Sequence, residues 1–489
     1  MPLIDHRRLL PCLVILAAVC GTHAASADDW PQFRGPNATG LAGSAKGLPT
    51  KFSAEEPLWK VDVGEGISSP IVAGGKAFAT GMVKPAGGGD AKFAIFALDA
   101  TTGKELWRRE FATGKLPRIT PPNSHASSTP ATDGERVYVH FSTLGLLAVN
   151  VADGTTAWET PMPMPAYLMD WGAGMSPIVH DGLVYFNQDD DLQPALFALD
   201  AKTGQLAWKT ERADMLAGYS IPVMSEVDGR TDLVVAGTGK LKGYDPKTGI
   251  ERWTCNTLPR TMMTSPVAKD GMIYIAVQSY GDESRTLKSA LMEWLDSNQD
   301  GKLARTEVPK EFHEKFDRSD KNTDAILDAT EVETAFQSSE NLVGGGSMVQ
   351  AVKGGGTGNV TKTHVVFNLK NRAPSNLTSP LVVGEQIFVV KKGGLSSSYD
   401  HLTGKKHWEL ARIRNSGDYY GSPVSGDGKI YVPGENGFVM VLEQGPKLNV
   451  LAKNDLGEPC LSSPAIAEGR LYFRTTGSLL CFSNEQPQK

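Results

Sequence analysis

Apolar and polar residues alternate along this chain in short runs, and eight of those runs are led by a two-residue step ending in proline. The steps are Ser69-Pro70, Thr129-Pro130, Ser176-Pro177, Ile221-Pro222, Ser265-Pro266, Ser379-Pro380, Ser422-Pro423 and Ser463-Pro464. Behind each step comes a strand-length stretch such as Gly182–Asn187, then a strand ending in Ala-x-Asp, a turn, and a strand that opens on Trp. Such runs, separated by Gly-rich turns, predict sheet rather than helix. Most steps recur at intervals of about 45 residues, the length of one four-stranded propeller blade. A single blade leaves both faces of its sheet in water, and only a ring of stacked blades buries them. The predicted fold is therefore all-β, an eight-bladed β-propeller, with a small α-helical pair inserted in blade five.

The insertion follows from the intervals. The step from Pro70 to Pro130 is stretched by loops around Lys84–Lys92 and Thr113–Ser124, whereas the step from Pro266 to Pro380 is long enough for a folded insert. The resulting partition is an export signal over 1–27, an N-terminal segment over 28–56, and blades one to five (first part) over 57–283. The insert occupies 284–340, the remainder of blade five and blades six to eight occupy 341–483, and a tail occupies 484–489. The segment before residue 57 lies outside the repeats, so removal of Asp28–Thr39 is expected to be mild.

Four turns spell Asp-x-x-Thr-Gly with Trp four residues on: Asp99/Gly103/Trp107, Asp200/Gly204/Trp208, Asp245/Gly249/Trp253 and Asp400/Gly404/Trp408; Asp153/Gly154/Trp158 is a looser copy. The Asp carboxylate accepts backbone N–H groups and holds the reversal, Gly supplies a positive φ, and Trp covers the joint between blades. The last repeat stops at Leu480-Cys481-Phe482 without a Trp-bearing strand, while Pro57–Asp62 holds such a strand with no partners before it. That segment is expected to complete blade eight and close the ring.

Charge and composition narrow the compartment and the partners. A formal net charge of −6 leaves no basic footprint for nucleic acid. His6, Arg7 and Arg8 precede the apolar stretch Leu9–Cys20, and Ala25-Ser26-Ala27 offers a small-x-small cleavage site, the pattern of an export signal too short to span a bilayer. No transmembrane segment is expected in the mature chain. Cys20 suggests a lipid anchor, but Val19 before it is bulky where a small residue is needed. The three later cysteines, Cys255, Cys460 and Cys481, cannot build a disulfide framework, and Cys460 and Cys481 are placed in non-neighbouring strands of the last blade.

The clearest chemistry lies in the insert. Asp296, Asn298, Asp300, Lys302 and Glu307 fall at positions 1, 3, 5, 7 and 12 of an EF-hand calcium loop, with Gly301 at the sharp turn. Lys302 contributes its backbone carbonyl. A second loop places Asp320, Asn322, Asp324, Ile326, Asp328 and Glu331 at 1, 3, 5, 7, 9 and 12, with Ala325 where Gly is wanted. Oxygen donors in that number select calcium. Leu287, Leu291, Trp294 and Leu295 make an apolar stripe on a helix capped by Ser284, Phe312 and Phe316 lie between the loops, and Val332 and Phe336 follow. One short helix begun by Pro309 is expected to serve both loops, Leu303 and Leu327 to pair between them, and the glycines Gly344–Gly346 and Gly354–Gly356 to act as a hinge.

The turn signature resembles the pyrroloquinoline-quinone-type repeat of quinoprotein dehydrogenases and of the outer-membrane assembly factor BamB. Trp30-Pro31-Gln32-Phe33-Arg34-Gly35-Pro36 and Asn454-Asp455-Leu456-Gly457-Glu458 are similar to a narrower group of exported bacterial proteins best known from planctomycetes. The resemblance implies an eight-bladed ring and no single activity. The dehydrogenases pack a vicinal cysteine pair on the quinone, and this chain has none, so calcium rather than the quinone is the expected cofactor. The expected function is an exported calcium-binding scaffold in the cell envelope, in the periplasm or secreted, that takes a protein or a small anionic or apolar ligand on the propeller face. The alternative is a quinone-dependent oxidoreductase using the funnel, lined by Asp170-Trp171 and Asp418-Tyr419-Tyr420. Arg118, Arg212, Arg260, Arg372 and Arg414 are expected to form a basic rim. Met162, Met164, Tyr167, Met169 and Trp171 crowd one connection.

Overall fold

The computed structural model describes residues 29–484 apart from 86, 168–169, 216–217, 258–262, 280–284, 287–291, 293–294, 337–341, 344–345, 372–376 and 414–416. The export segment with Cys20, the helix positions Ser284, Leu287, Leu291 and Trp294, and Met169, Arg260, Arg372, Arg414 and Gly344 lie outside the described residues.

Eight sheets, each built on four antiparallel strands, follow one another around a ring; six draw them consecutively from the chain, blade five is interrupted by the insert, and blade eight borrows one from the N-terminal segment. Blade three shows the plan: Ile178–His180, Leu183–Gln188, Ala195–Asp200 and Leu206–Glu211. The two middle strands of a blade are buried on both faces, and the outermost strand is largely exposed, as in Lys92–Asp99 and Glu105–Ala112 of blade one. Cores therefore form between blades rather than within them. Phe78, Phe93 and Ile95 of blade one pack on Val137, Val139 and Phe141 of blade two. Blade eight contributes Ala465–Ala467, Arg470–Arg474 and Ser478–Phe482, and Trp59–Asp62 closes it as fourth strand, with Trp59 opposite Cys481 and Asp62 opposite Ser478.

The proline steps form a belt around the ring axis. At each step the backbone N–H donates to the Ser or Thr hydroxyl of the next blade's step. Ser69 donates to Thr129 Oγ1 (3.0 Å) and Thr129 to Ser176 Oγ (2.9 Å). Ile221 donates to Ser265, Ser265 to Ser379, Ser379 to Ser422, Ser422 to Ser463, and Ser463 back to Ser69, each at 2.9–3.0 Å. The belt lacks one link, because Ile221 offers Ser176 no hydroxyl.

A second joint sits at the Asp-x-x-Thr-Gly turns. The indole N–H of Trp59, Trp107, Trp158 and Trp208 donates to the next blade's turn, at the carbonyls of Ala100, Val151, Ala201 and Pro246. The glycine of that next turn lies flat against the ring. A Cβ on Gly103 would sit 2.7 Å from Trp59, and φ there is +71°. Close approach and backbone conformation thus both demand glycine. In blade two Asn150, not Asp153, holds the place of the reversal aspartate, since Gly154 N–H donates to the Asn150 carbonyl as Gly103 does to Asp99.

The N-terminal segment is not peripheral. Trp30 bridges Val72 of blade one, and the Thr132 N–H of blade two donates to the Pro31 carbonyl. The Asn37 side chain exchanges two hydrogen bonds with the Met224 backbone of blade four. Arg34, fully buried, donates from Nη2 to the carbonyls of Pro380 and Pro423 in blades six and seven. Leu41 and Ala42 then pair in parallel with Ser425 and Gly426, and Phe52 packs on Phe473 and Phe482 of blade eight. This strap touches six blades, five of them through residues 30–39, which argues against the expectation that deleting 28–39 is milder than deleting the closing strand. Cys255, Cys460 and Cys481 are free and buried, with Cys460 in the connection ahead of blade eight rather than in a strand.

Two outcomes follow. Ser379→Ala removes the acceptor of the Ser265 N–H in a buried site, and urea unfolding should show a loss of about 1–3 kcal/mol. Deletion of residues 29–39 should lower the melting temperature at least as much as deletion of the closing strand 57–62, measured by calorimetry on both variants.

Candidate functional site

Because successive strands are antiparallel, the connections between blades and the loops between second and third strands open on one face of the ring. The insert lies in such a loop, between Met272–Ser279 and Gly346–Lys353 of blade five. It reaches across that face to blade three.

The two loops of the insert are built alike, residue for residue. Leu303 pairs with Leu327 and Ala304 with Ile326 in a two-stranded ribbon. In the first loop Asp296 accepts from the N–H groups of Asp300 and Gly301 (3.1 and 2.9 Å). Glu307 accepts from those of Ser297, Asn298 and Ala304. In the second, Asp320 accepts from Asp324 and Ala325 (3.2 and 2.8 Å), and Glu331 from Lys321 and Asp328. Asn298 Oδ1 and Asn322 Oδ1 accept from the N–H groups of Asp300 and Asp324. The position-6 residues both turn left-handed, Gly301 at φ 80° and Ala325 at φ 62°. Among the described residues no three His, Cys, Asp or Glu side chains gather into a metal cluster; these carboxylates hold the N–H groups of their own loops instead. The donor set is nevertheless all oxygen, which suits a hard cation.

A core of Leu295, Leu303, Val308, Phe312, Phe316, Leu327 and Val332 holds the loops together, and Ala166 and Leu192 of the propeller pack against it. The helix His313–Ser319 follows a short turn begun by Pro309, and Lys315 Nζ donates to the Asp191 carbonyl at 3.0 Å. The glycines Gly354–Gly356 do not form a hinge. They belong to the turn before the outer strand of blade five, where Gly354 N–H donates to the Gly271 carbonyl and Gly354 and Gly355 sit against Val227.

The landing site is the Asp189-Asp190-Asp191 loop of blade three, which sequence reasoning passed over although three adjacent acids in a short loop mark it. Arg212 donates from Nε and Nη2 to the two Asp189 oxygens (2.7 and 3.0 Å), with both side chains wholly buried, and from Nη1 to the Tyr244 hydroxyl. Arg212 is thus a buried staple, not part of a basic rim. Burial raises the Asp189 carboxyl against the pull of the guanidinium, while the carboxylate keeps Arg212 charged, and the two parallel contacts favour the ionised pair. Asp190 accepts from the N–H groups of Ala166, Leu192 and Gln193, which ties this loop to the connection entering blade three. Along that connection Tyr167 is buried and stacked on Tyr219 at 4.9 Å, Met162 packs on the blade-three core, and Met164 is exposed. Arg118 faces Asp170 at 3.6 Å at the surface. Tyr419 is buried between blades six and seven, which takes its ring out of the expected funnel lining, and the half-buried Asp418 is held by Lys392 and the Gly393 N–H.

Replacing Arg212 by Met leaves Asp189 buried without its partner, and a loss of about 3–5 kcal/mol is expected at pH 7. Burial, the largest influence on this carboxyl, then outweighs the remaining Asn187 amide bond, so its folded pKa lies above the unfolded value near 3.9. The deficit should be smallest below about pH 4 and should grow as pH rises through the folded pKa. Urea titrations of the variant at several pH values check this.

Residues 41–172 and 169–279 match the family described as outer membrane protein assembly factor BamB. BamB of Yersinia pestis is 23% identical over 252 residues, 48% of this chain and 60% of that protein. Methanol dehydrogenase (cytochrome c) subunit 1 of Paracoccus denitrificans is 28% identical over 164 residues, 29% of this chain and 24% of that one. The chain therefore spans less than two thirds of these relatives. Among solved structures, BamB from Moraxella catarrhalis superposes with a TM-score of 0.53 at 13% identity, covering 88% of this chain and 99% of that one. The chain is an eight-bladed propeller whose repeats, over residues 41–279, are similar to those of the BamB family.

Proposed function

We propose that the protein is an exported, calcium-binding β-propeller that serves as a protein-binding scaffold in the cell envelope. The observation that carries the calcium reading is the matched pair of loops, each closed by a position-12 glutamate and joined through Leu303 and Leu327. Asp296, Asn298, Asp300 and Glu307, with the Lys302 carbonyl, would hold one cation. Asp320, Asn322, Asp324 and Glu331, with the Ile326 carbonyl and Asp328, would hold a second. The scaffold reading is supported by the BamB relatives, whose name is that of an outer-membrane assembly factor, and by an open face made rigid through Arg212 and Asp190.

The residues present do not fit the quinone of the dehydrogenase relatives. The cysteines are isolated from one another along the chain, and the carboxylates in the blade-three loop are committed, Asp189 to a guanidinium and Asp190 to three backbone N–H groups. No redox step is derived from them. Dye-linked turnover of alcohols after reconstitution with the quinone and calcium would overturn this part of the reading.

Titration calorimetry should show two calcium sites with Kd on the order of 10⁻⁵ to 10⁻³ M, the range of extracellular modules and weaker sensors. Glu307→Gln should abolish the first and Glu331→Gln the second. Ala325 occupies a left-handed backbone that costs a β-carbon about 1 kcal/mol, so Ala325→Gly should stabilise the insert by about that amount in chelator and in calcium alike. No heat at millimolar calcium would sink the assignment. An envelope protein that copurifies in calcium and is released by chelator is the expected result for the scaffold.

A further inference from the structure

The docked insert leaves a cleft of about 570 Å³ between itself and the connections entering blades two and three. Its volume falls in the range of small-molecule sites, about 300–1,000 Å³. We propose that this cleft binds an amphiphilic anion, a molecule with an apolar body and one acidic head group. This deepens the binding reading above by locating a ligand site on the open face, and it stands independently of calcium.

The walls are apolar. Leu116, Pro165, Tyr167 and Leu192 come from the propeller and Phe312 from the insert, so the site is complete only with the insert in place. Two polar groups on the lining have no partner of their own. Ser142 is 7% exposed and its Oγ makes no hydrogen bond, and the buried His125 Nδ1 makes none either. Leaving a buried hydroxyl unmatched costs about 1–3 kcal/mol, so a ligand that accepts from it regains that energy. Burial holds His125 below its ordinary pKa. It is therefore neutral at pH 7 and carries a ring N–H that can donate to an acceptor.

Charge decides the sign of the head group. Lys115 stands exposed on the lining, and Arg118 is 90% exposed with only a long contact to Asp170. Asp170 is the one carboxylate among the lining residues. Two cations against one carboxylate, with two unmatched groups able to donate below them, fit an acceptor-bearing anion and disfavour an ammonium. The exposed thioether of Met164 adds adaptable apolar surface beside them.

The test uses the full chain and the fluorescent apolar anion 1-anilinonaphthalene-8-sulfonate, with dodecanoate and dodecyltrimethylammonium as competitors. Saturable binding is expected, displaced by dodecanoate and not by the ammonium. Lys115→Glu, a surface change, should weaken binding about tenfold. Ser142→Ala should weaken it about fivefold while the melting temperature stays or rises, because the lost hydroxyl has no protein partner. Equal displacement by the ammonium, unchanged binding in both variants, or no saturable binding would each overturn the proposal. Calcium calorimetry on the same samples separates the two readings. Lost calcium binding with the probe response intact removes the calcium assignment alone, and intact calcium binding with an unresponsive probe removes the cleft alone.

Discussion

The ring depends on a lateral bond too short-ranged to tolerate error: one backbone N–H donating to the next blade's hydroxyl. Inner strands converge near the axis, where large side chains cannot pass, yet their N–H groups still need acceptors. A Ser or Thr hydroxyl is small enough to serve, and the proline behind it contributes no donor that would itself need satisfying. The eight-fold recurrence of the step is thus the trace of one geometric requirement applied at every joint. The exception tests the idea. Where Ile221 removes the hydroxyl, the same joint between blades three and four carries the buried Arg212–Asp189 pair, the Arg212–Tyr244 contact and the packing of Ile221 on Tyr185 and Leu196. A charged staple stands where the belt is open.

What was legible in the sequence divides along sequence separation. The blade period and the turn signature are local patterns that appear in the fold, and the two acidic stretches of the insert fold as a matched pair of loops. The partner of each local feature was not legible. Trp59 announces a strand, but nothing near it says that its indole meets Ala100 or that Gly103 is small to receive it. Asp153 took the place of Asn150 because aspartate is the commoner turn residue, whereas the backbone bond to Gly154 is made by whichever residue the register supplies. The strap shows the limit most clearly. Trp30–Gly40 has no period and no alternation, and its bonds to Met224, Pro380 and Pro423 cross 187, 346 and 389 residues.

The strap and the insert cover opposite faces and follow opposite physics. The strap is bound by backbone and side-chain hydrogen bonds to five blades and by Phe52 packing to a sixth, with a guanidinium buried at its centre. Burial lowers the Arg34 pKa to about 9, and its one well-satisfied nitrogen faces carbonyls rather than a carboxylate. Such a segment is tolerable only if the ring around it is already rigid, since mobile carbonyls would leave the charge unmatched. Among the described residues the insert instead meets the propeller through an apolar contact at Ala166 and Leu192 and through Lys315 on the Asp191 carbonyl.

That contrast bears on how the open face can respond. A weakly docked insert whose own core includes Phe312 links its loops to the cleft through a few packed side chains. Val308 follows Glu307 directly, Phe312 comes five residues after it, and Leu303 lies within the loop that Glu307 closes. A cation held by Glu307, if the proposed site binds one, would narrow the positions open to Phe312 on the wall of the cleft. Linkage makes this reciprocal: whatever factor a cation adds to ligand affinity, the ligand adds to cation affinity. The size of that factor is bounded by the docking contact, because an insert that never leaves the face gains nothing from being held there.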